Sequence, residues 1–121
     1  MASWSENQGR VAGSVAEHAL QRIAAFYAVE AEIRGQPPDV RRRERQARAG
    51  PLLEELRAWL TSMVGRLSAK SELAKAIGYS LTRWRALTRY RDDGRIEIDN
   101  NAAERALRGV ALGRGNYLFM G

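Results

Sequence analysis

The segment that decides the fold reads Glu97-Ile98-Asp99-Asn100-Asn101-Ala102-Ala103-Glu104-Arg105-Ala106-Leu107-Arg108. Residues 95–99 alternate polar side chains with β-branched apolar ones, which is the pattern of a half-buried strand. Asn100 or Asn101 then offers an N-cap, and the alanines and leucine that follow favour helix. The segment therefore predicts a short strand followed by a helix that carries Glu104 in its first turn.

Glu104 has two interpretations at this position. With Asn101 as the N-cap, Glu104 stands at the third helical position, where its carboxylate can accept a hydrogen bond from the cap N–H and favours the positive end of the helix dipole. Spacing alone favours this capping role, because cap patterns are common and one carboxylate specifies no reaction.

The residue pattern of this segment is more specific than helix capping requires. It resembles the C-terminal part of the catalytic region of bacterial transposases of the insertion-sequence 66 family. Two motifs carry the resemblance: Asp-Asn-Asn-x-x-Glu-Arg-x-Leu-Arg over residues 99–108, and Leu-Gly-Arg-x-Asn-aromatic-Leu-Phe over residues 112–119. Similar sequence upstream of these motifs extends the resemblance over about residues 17–121. Residues 1–16 do not match and are expected to form a disordered leader.

The resemblance implies a DNA transposase with an RNase H-like core, in which two aspartates and one glutamate hold divalent metal such as Mg²⁺. Glu104 matches that glutamate in the motif, so it is the expected catalytic residue and metal ligand. Arg105, Arg108 and Arg114 are the expected DNA contacts. From spacing alone, Arg105 and Arg108 share a helix face that is either solvated or placed to meet phosphates. The chain departs from the family pattern at two positions near these arginines. Gly109 stands where the family often has proline, and Gly115 stands where it usually has a basic residue, so the backbone shape and the charge differ there.

The positions of the aspartates predict that the chain is inactive as isolated. All four of them, Asp39, Asp92, Asp93 and Asp99, lie within or after the helical stretch, whereas the family's catalytic aspartates precede it. We therefore interpret the chain as a truncated transposase that lacks both flanks. Loss of the partner strands would leave Ile96, Ile98, Leu118 and Phe119 unsatisfied, which predicts self-association or association with an intact transposase.

Composition agrees with a nucleic-acid partner. The chain has 121 residues and a formal net charge of +6, and 18 of its 20 basic residues are arginine, the residue suited to bidentate phosphate contacts. Cysteine is absent, the opening residues lack a signal peptide's apolar region, and the apolar runs fall short of a membrane span. We expect a bacterial, cytoplasmic protein that has DNA as its partner and neither a membrane nor a small-molecule substrate.

The upstream sequence predicts a mainly α fold, with a helical segment over 17–92 and a partial RNase H-like segment over 93–121. A capping box at 14–17 opens a helix that ends before Gly35. Residues 39–49 carry five arginines and predict a solvated or DNA-facing helix. Gly50-Pro51 interrupts the pattern, and whether it breaks or kinks the helix stays open. The next helix, over 51–67, has a continuous apolar stripe.

Residues 71–92 carry the main alternative. Ala74-x-x-x-Gly78 follows the rhythm of a helix-turn-helix, in which Arg83, Arg85 and Arg89 would line a recognition helix of a noncatalytic DNA-binding protein. An unbroken helix is the simpler interpretation, because one apolar face continues across Gly78 and a glycine within a helix costs only about 1 kcal/mol. We favour the unbroken helix.

Overall fold

The computed structural model describes residues 4–98 and 102–112, which are mainly helical. The elements, in chain order, are α1 (Trp4–Ile33), α2 (Pro38–Glu44), a π-helical segment (Arg45–Ala49), α3 (Gly50–Val64), α4 (Glu72–Thr82), α5 (Trp84–Asp92) and α6 (Ala102–Leu112). No strand occurs within these described ranges. The prediction of a mainly α chain is confirmed.

Helix α1 is longer than the sequence predicts. It begins at Trp4 and so includes most of the segment that was expected to be a disordered leader. Ser14 lies inside this helix, and the predicted capping box at 14–17 is therefore wrong. The predicted end is confirmed: α1 stops at Ile33, and Gly35 follows with a φ of 85°, a left-handed conformation that glycine adopts without steric cost.

Gly50 does not break the helix. The chain stays helical from Pro38 to Val64, and the wide π-helical turn absorbs the irregularity. The Gly50 N–H donates to the carbonyl of Arg45, five residues back. Pro51 lacks an N–H, and its ring would crowd the carbonyl four residues before it in a regular α-helix. A wider turn just before proline relieves that conflict and keeps α2 and α3 in one rod.

Residues 71–92 form two helices, and the break lies at Arg83. Helix α4 begins at a cap in which the Ser71 Oγ accepts a hydrogen bond from the Ala74 N–H at 3.0 Å, and it continues through Gly78. The turn at Gly78 that the helix-turn-helix alternative requires is therefore absent. The favoured helix across Gly78 is confirmed as far as Thr82, but it does not continue unbroken past Arg83. Ser80, which a recognition helix would expose, is fully buried. The helix-turn-helix alternative loses its geometric basis.

Helix α6 lies against three others and completes the core. It packs on α1, α4 and α5, and its apolar face joins a single cluster of buried side chains. The predicted stripe of α3 supplies Leu53, Leu56 and Leu60 to the same cluster. From α1 and α5, the fully buried members are Ala19, Ile23, Phe26, Leu87 and Tyr90. The core is thus helix on helix, with α6 as a central member.

The predicted strand is absent from its described part. Residues 95–98 are irregular, and Asp99 lies outside the described residues. Ile98 is buried and Ile96 packs against the core cluster, so the expectation that these two side chains are left unsatisfied is wrong. Leu118 and Phe119 lie outside the described residues. A strand needs a partner for its backbone hydrogen bonds, and the described chain offers none, so the apolar side chains are buried without a sheet.

A buried arginine holds this segment in place. Arg45 belongs to the arginine-rich stretch that was predicted to be solvated or DNA-facing, yet only 1% of its side chain is exposed. Its Nε and Nη2 donate to the two carboxylate oxygens of Glu30 on α1, at 3.1 and 3.0 Å. Its Nη1 donates to the carbonyls of Tyr90 and Asp93, at 3.3 and 3.0 Å. The guanidinium also stacks on the Tyr90 ring, 3.8 Å from its centroid.

These contacts join three parts of the chain. The Tyr90 carbonyl belongs to the last turn of α5, where no helical N–H remains to satisfy it. Arg45 supplies that donor and fastens the following segment to α1. Burial raises the pKa of the Glu30 carboxyl, and the hydrogen bonds and charge of Arg45 partly offset the effect.

A tight approach and an ion pair fix the same segment to α2. Gly94 lies so close to the start of α2 that a Cβ there would overlap the Pro38 carbonyl. The Arg41 Nη1 donates to the Glu97 carboxylate at 2.6 Å. Asp93 accepts from the Arg95 N–H and side chain, and these bonds lower the pKa of Asp93 to about 2. The path of residues 93–97, which follow α5, is therefore specified by contacts with the preceding helices.

We expect Arg45→Met to lower the free energy of unfolding by about 3–5 kcal/mol, because the Glu30 carboxylate would stay buried without its partner. Urea unfolding followed by circular dichroism measures the change. Arg48→Met, on the same helical rod but with exposed partners in Glu32 and Glu44, should lose much less. The double variant Glu30→Leu/Arg45→Met should recover part of the loss, and equal losses for Arg45→Met and Arg48→Met would contradict the assignment.

We expect Gly94→Ala to destabilise the fold by about 1–3 kcal/mol, because the new methyl group must push the segment away from α2. Gly78→Ala is the matched control, since a Cβ at Gly78 meets nothing within 4 Å. That control should be neutral or stabilising by up to about 1 kcal/mol, the difference in helix propensity. Thermal unfolding of the two variants gives the comparison, and a harmless Gly94→Ala would show that the close approach is not required.

Candidate active site

Glu104 lies in the first turn of α6, as the sequence predicts. Its side chain is 11% exposed, and its carboxylate contacts the guanidinium of Arg108, one turn further along the helix. Asn101, the predicted N-cap, lies outside the described residues, so the capping role of Glu104 stays a prediction. The carboxylate is thus at the edge of the core, facing a cation of its own helix.

The rotation of α6 follows from its apolar residues. Its buried positions other than Glu104 are Ala103, Ala106, Leu107 and Val110, which lie on one face at helical spacing. That packing places the Glu104 side chain beside the buried face and leaves the neighbouring Arg105 exposed. The orientation of the candidate carboxylate is therefore set by core packing.

The three arginines expected to contact DNA have different surroundings. Arg108 is half exposed and pairs with Glu104. Arg105 is exposed and lines a surface groove together with residues of α4 and α5. Arg114 lies outside the described residues. Arg105 and Arg108, although three residues apart, therefore have different surroundings.

The groove that Arg105 lines is strongly basic, and we call it the arginine groove. It has a volume of about 260 Å³, and its lining consists of Tyr79, Arg83, Arg85, Ala86, Arg89, Ala102 and Arg105. Sequence reasoning raised three of these arginines as part of the helix-turn-helix alternative, because they recur on one stretch. It missed Tyr79, whose exposure depends on how α4 packs, and it did not bring Arg105 to them.

The residues described do not by themselves form a metal centre. Within residues 4–98 and 102–112, no three histidine, cysteine, aspartate or glutamate side chains converge. Asp92 and Asp93 pair with Arg91 and Arg95, which lower their pKa values. Glu104 faces a guanidinium. His18 is exposed and stacks on Trp59 with ring centroids 5.9 Å apart.

Comparison with known proteins assigns the chain to a family. The model of a family described as "Transposase IS66 family" matches residues 3–121. The chain therefore belongs to the IS66 family of transposases. The match begins closer to the N-terminus than residue 17, where the sequence motifs first indicated it.

Three curated relatives, all from Sinorhizobium fredii, extend the comparison. The uncharacterized protein y4jD is 43% identical over 99 residues, which cover 82% of this chain and 19% of that protein. The uncharacterized protein y4hP is 38% identical over 116 residues, covering 96% of this chain and 21% of the relative. The uncharacterized protein y4qI is 39% identical over 99 residues, which cover 82% of this chain and 18% of that protein. The chain thus spans about a fifth of the length of these relatives.

No solved structure matches this chain. Within the described residues, no helix has the length and apolar character needed to cross a membrane.

Proposed function

We propose that this chain is the C-terminal part of the catalytic region of an IS66-family transposase that cuts and joins DNA. Glu104 is the acidic residue that this part contributes to the catalytic centre, and Arg105, Arg108 and Arg114 contact DNA. The observation that carries the proposal is the placement of Glu104 in the first turn of α6, within a family match that covers residues 3–121.

The greater length of the relatives supports the interpretation that this chain contributes one residue to a catalytic centre and is not a complete enzyme. The relatives are about five times as long as the aligned segment, and the family's two catalytic aspartates precede the helical stretch that this chain contains. An acidic triad holding Mg²⁺ would then be assembled from Glu104 and two aspartates outside this chain. In such a centre the metal activates a water or a 3′-hydroxyl and stabilises the leaving oxygen of the phosphodiester.

The RNase H-like core is part of the same proposal. Residues 95–99 would add a strand to a sheet whose other strands come from elsewhere in the full-length protein. The segment reaches α6 along α1 and α2, which hold it through Arg45, Arg41 and the close approach at Gly94. The helical part of the chain would therefore serve as the support that sets the position of Glu104.

The isolated chain is inactive in this proposal, because one carboxylate cannot hold the metal that phosphoryl transfer needs. Its Glu104 is paired with Arg108, and a metal ion held together with the two aspartates would compete with that guanidinium for the carboxylate. Arg108 would then be released toward DNA phosphates. Charge on the chain as a whole, +6, favours the same partner.

We expect Glu104→Gln to reduce DNA transposition by more than about 100-fold in a chimaera, since even residues that only support a metal ligand are worth about 10–100-fold. The chimaera is a full-length relative in which residues 3–121 of this chain replace the matching segment. A plasmid-to-plasmid transposition assay measures the activity. Glutamine keeps the size of the side chain and removes the charge that binds metal.

Glu55→Gln is the control for this experiment, because Glu55 is an exposed carboxylate of α3 whose contact with Arg22 is long, at 3.9 Å. It should retain activity close to that of the parent chimaera. Circular dichroism checks that both variants fold. Full activity of Glu104→Gln would falsify the catalytic role, and metal-dependent nicking of DNA by the 121-residue chain alone would contradict its inactivity.

A further inference from the structure

We propose that the arginine groove binds the backbone of single-stranded DNA and stacks a base against Tyr79 and Arg83. The inference rests on the proposed function for its choice of DNA over other polyanions. Its site is separate from Glu104 and Arg108, and most of its residues come from α4 and α5. It therefore adds a strand-binding surface to the part of the chain that supports the catalytic carboxylate.

The charge of the groove is not neutralised within the described part of the chain. Arg83, Arg85, Arg89 and Arg105 are all exposed, and none of them forms an ion pair with a described carboxylate. Several arginines outside the groove do form ion pairs, as in Arg41 with Glu97 and Arg48 with Glu32. Four like charges around one concave surface repel one another, and phosphates entering the groove would remove that repulsion.

The aromatic side chain selects among nucleic acids. The Tyr79 side chain is well exposed for a large apolar residue, at 41%. The Arg83 guanidinium lies over its ring, 3.7 Å from the centroid. A flat pair of this kind, beside phosphate-binding arginines, is suited to stacking with an unpaired base. In a duplex the bases are already stacked on one another, and only the phosphates would reach the groove.

The position of the groove connects it with the candidate catalytic carboxylate. Ala102 and Arg105 line the groove and belong to the first helical turn of α6, which also carries Glu104. A strand held in the arginine groove would therefore leave it next to the turn that bears the carboxylate. An unpaired DNA end is the occupant that we infer, because its phosphates suit the arginines and its bases are free to stack on Tyr79.

The test is fluorescence anisotropy with the 121-residue chain and a labelled oligothymidine, compared with a blunt duplex of equal length over a range of salt concentrations. We expect the single strand to bind more tightly. Tyr79→Ala should weaken binding of the single strand by about tenfold, within the range measured for base–aromatic stacking, and leave the duplex unaffected. Tyr79→Phe, which keeps the ring, should bind like the parent.

Arginine variants test the electrostatic part. Arg85→Ala/Arg89→Ala should weaken binding and reduce the slope of log K against log salt by about 1.4, or 0.7 for each lost phosphate contact on a single strand. Arg57→Ala/Arg66→Ala removes the same charge from two exposed arginines outside the groove and should change the slope much less. Because all of these side chains are exposed, the variants should remain folded, and circular dichroism checks that they do.

Three results would overturn the inference: tighter binding of the duplex, an unchanged affinity of Tyr79→Ala for the single strand, or equal effects of the two double variants. A separate variant keeps this test distinct from that of the proposed function. Glu104→Gln should bind the oligothymidine normally while abolishing transposition in the chimaera. Normal transposition by Glu104→Gln with strand binding intact would remove the catalytic proposal alone.

Discussion

The buried guanidinium of Arg45 is the constraint on which the arrangement of the chain depends. It satisfies the Glu30 carboxylate on α1, the free carbonyl at the end of α5 and the Asp93 carbonyl beyond it. Such a group is costly to bury, and it is tolerated only because almost every donor has an acceptor. The same contacts that make the burial possible also fix the path of the chain as it leaves α5. Specificity of position, more than added stability, is what a buried pair of this kind supplies here.

Much of the helical architecture could be predicted from the sequence, because it depends on local signals. The apolar stripe of α3 and the stop at Gly35 follow from periodicity and from glycine chemistry. Two features could not be predicted. The burial of Arg45 depends on Glu30 and on the last turn of α5, which are remote in sequence, so composition made Arg45 look like its solvated neighbours. The strand at 95–99 was predicted from alternation, but alternation specifies only which side chains are buried, and pairing requires a second strand.

The candidate site divides in the same way. Placing Glu104 in the first turn of a helix needed only the local motif, and the structure agrees. The i,i+4 spacing could have predicted the ion pair between Glu104 and Arg108, but the sequence analysis considered the arginines only as DNA contacts. The arginine groove could not be predicted from the sequence, because it is formed by residues of α4, α5 and α6 that come together around Tyr79. Arg83, Arg85 and Arg89 were noticed for a motif that the fold does not contain, and they acquire a coherent role only once Arg105 lies beside them.

The π-helical turn at 45–49 holds one residue more than a regular α-helical turn. Its deletion would restore α-helical spacing and return the Pro51 ring to the carbonyl four residues before it. A shortened segment would also have to keep the Arg45 guanidinium against Glu30. We therefore expect such a deletion to introduce a proline kink between α2 and α3.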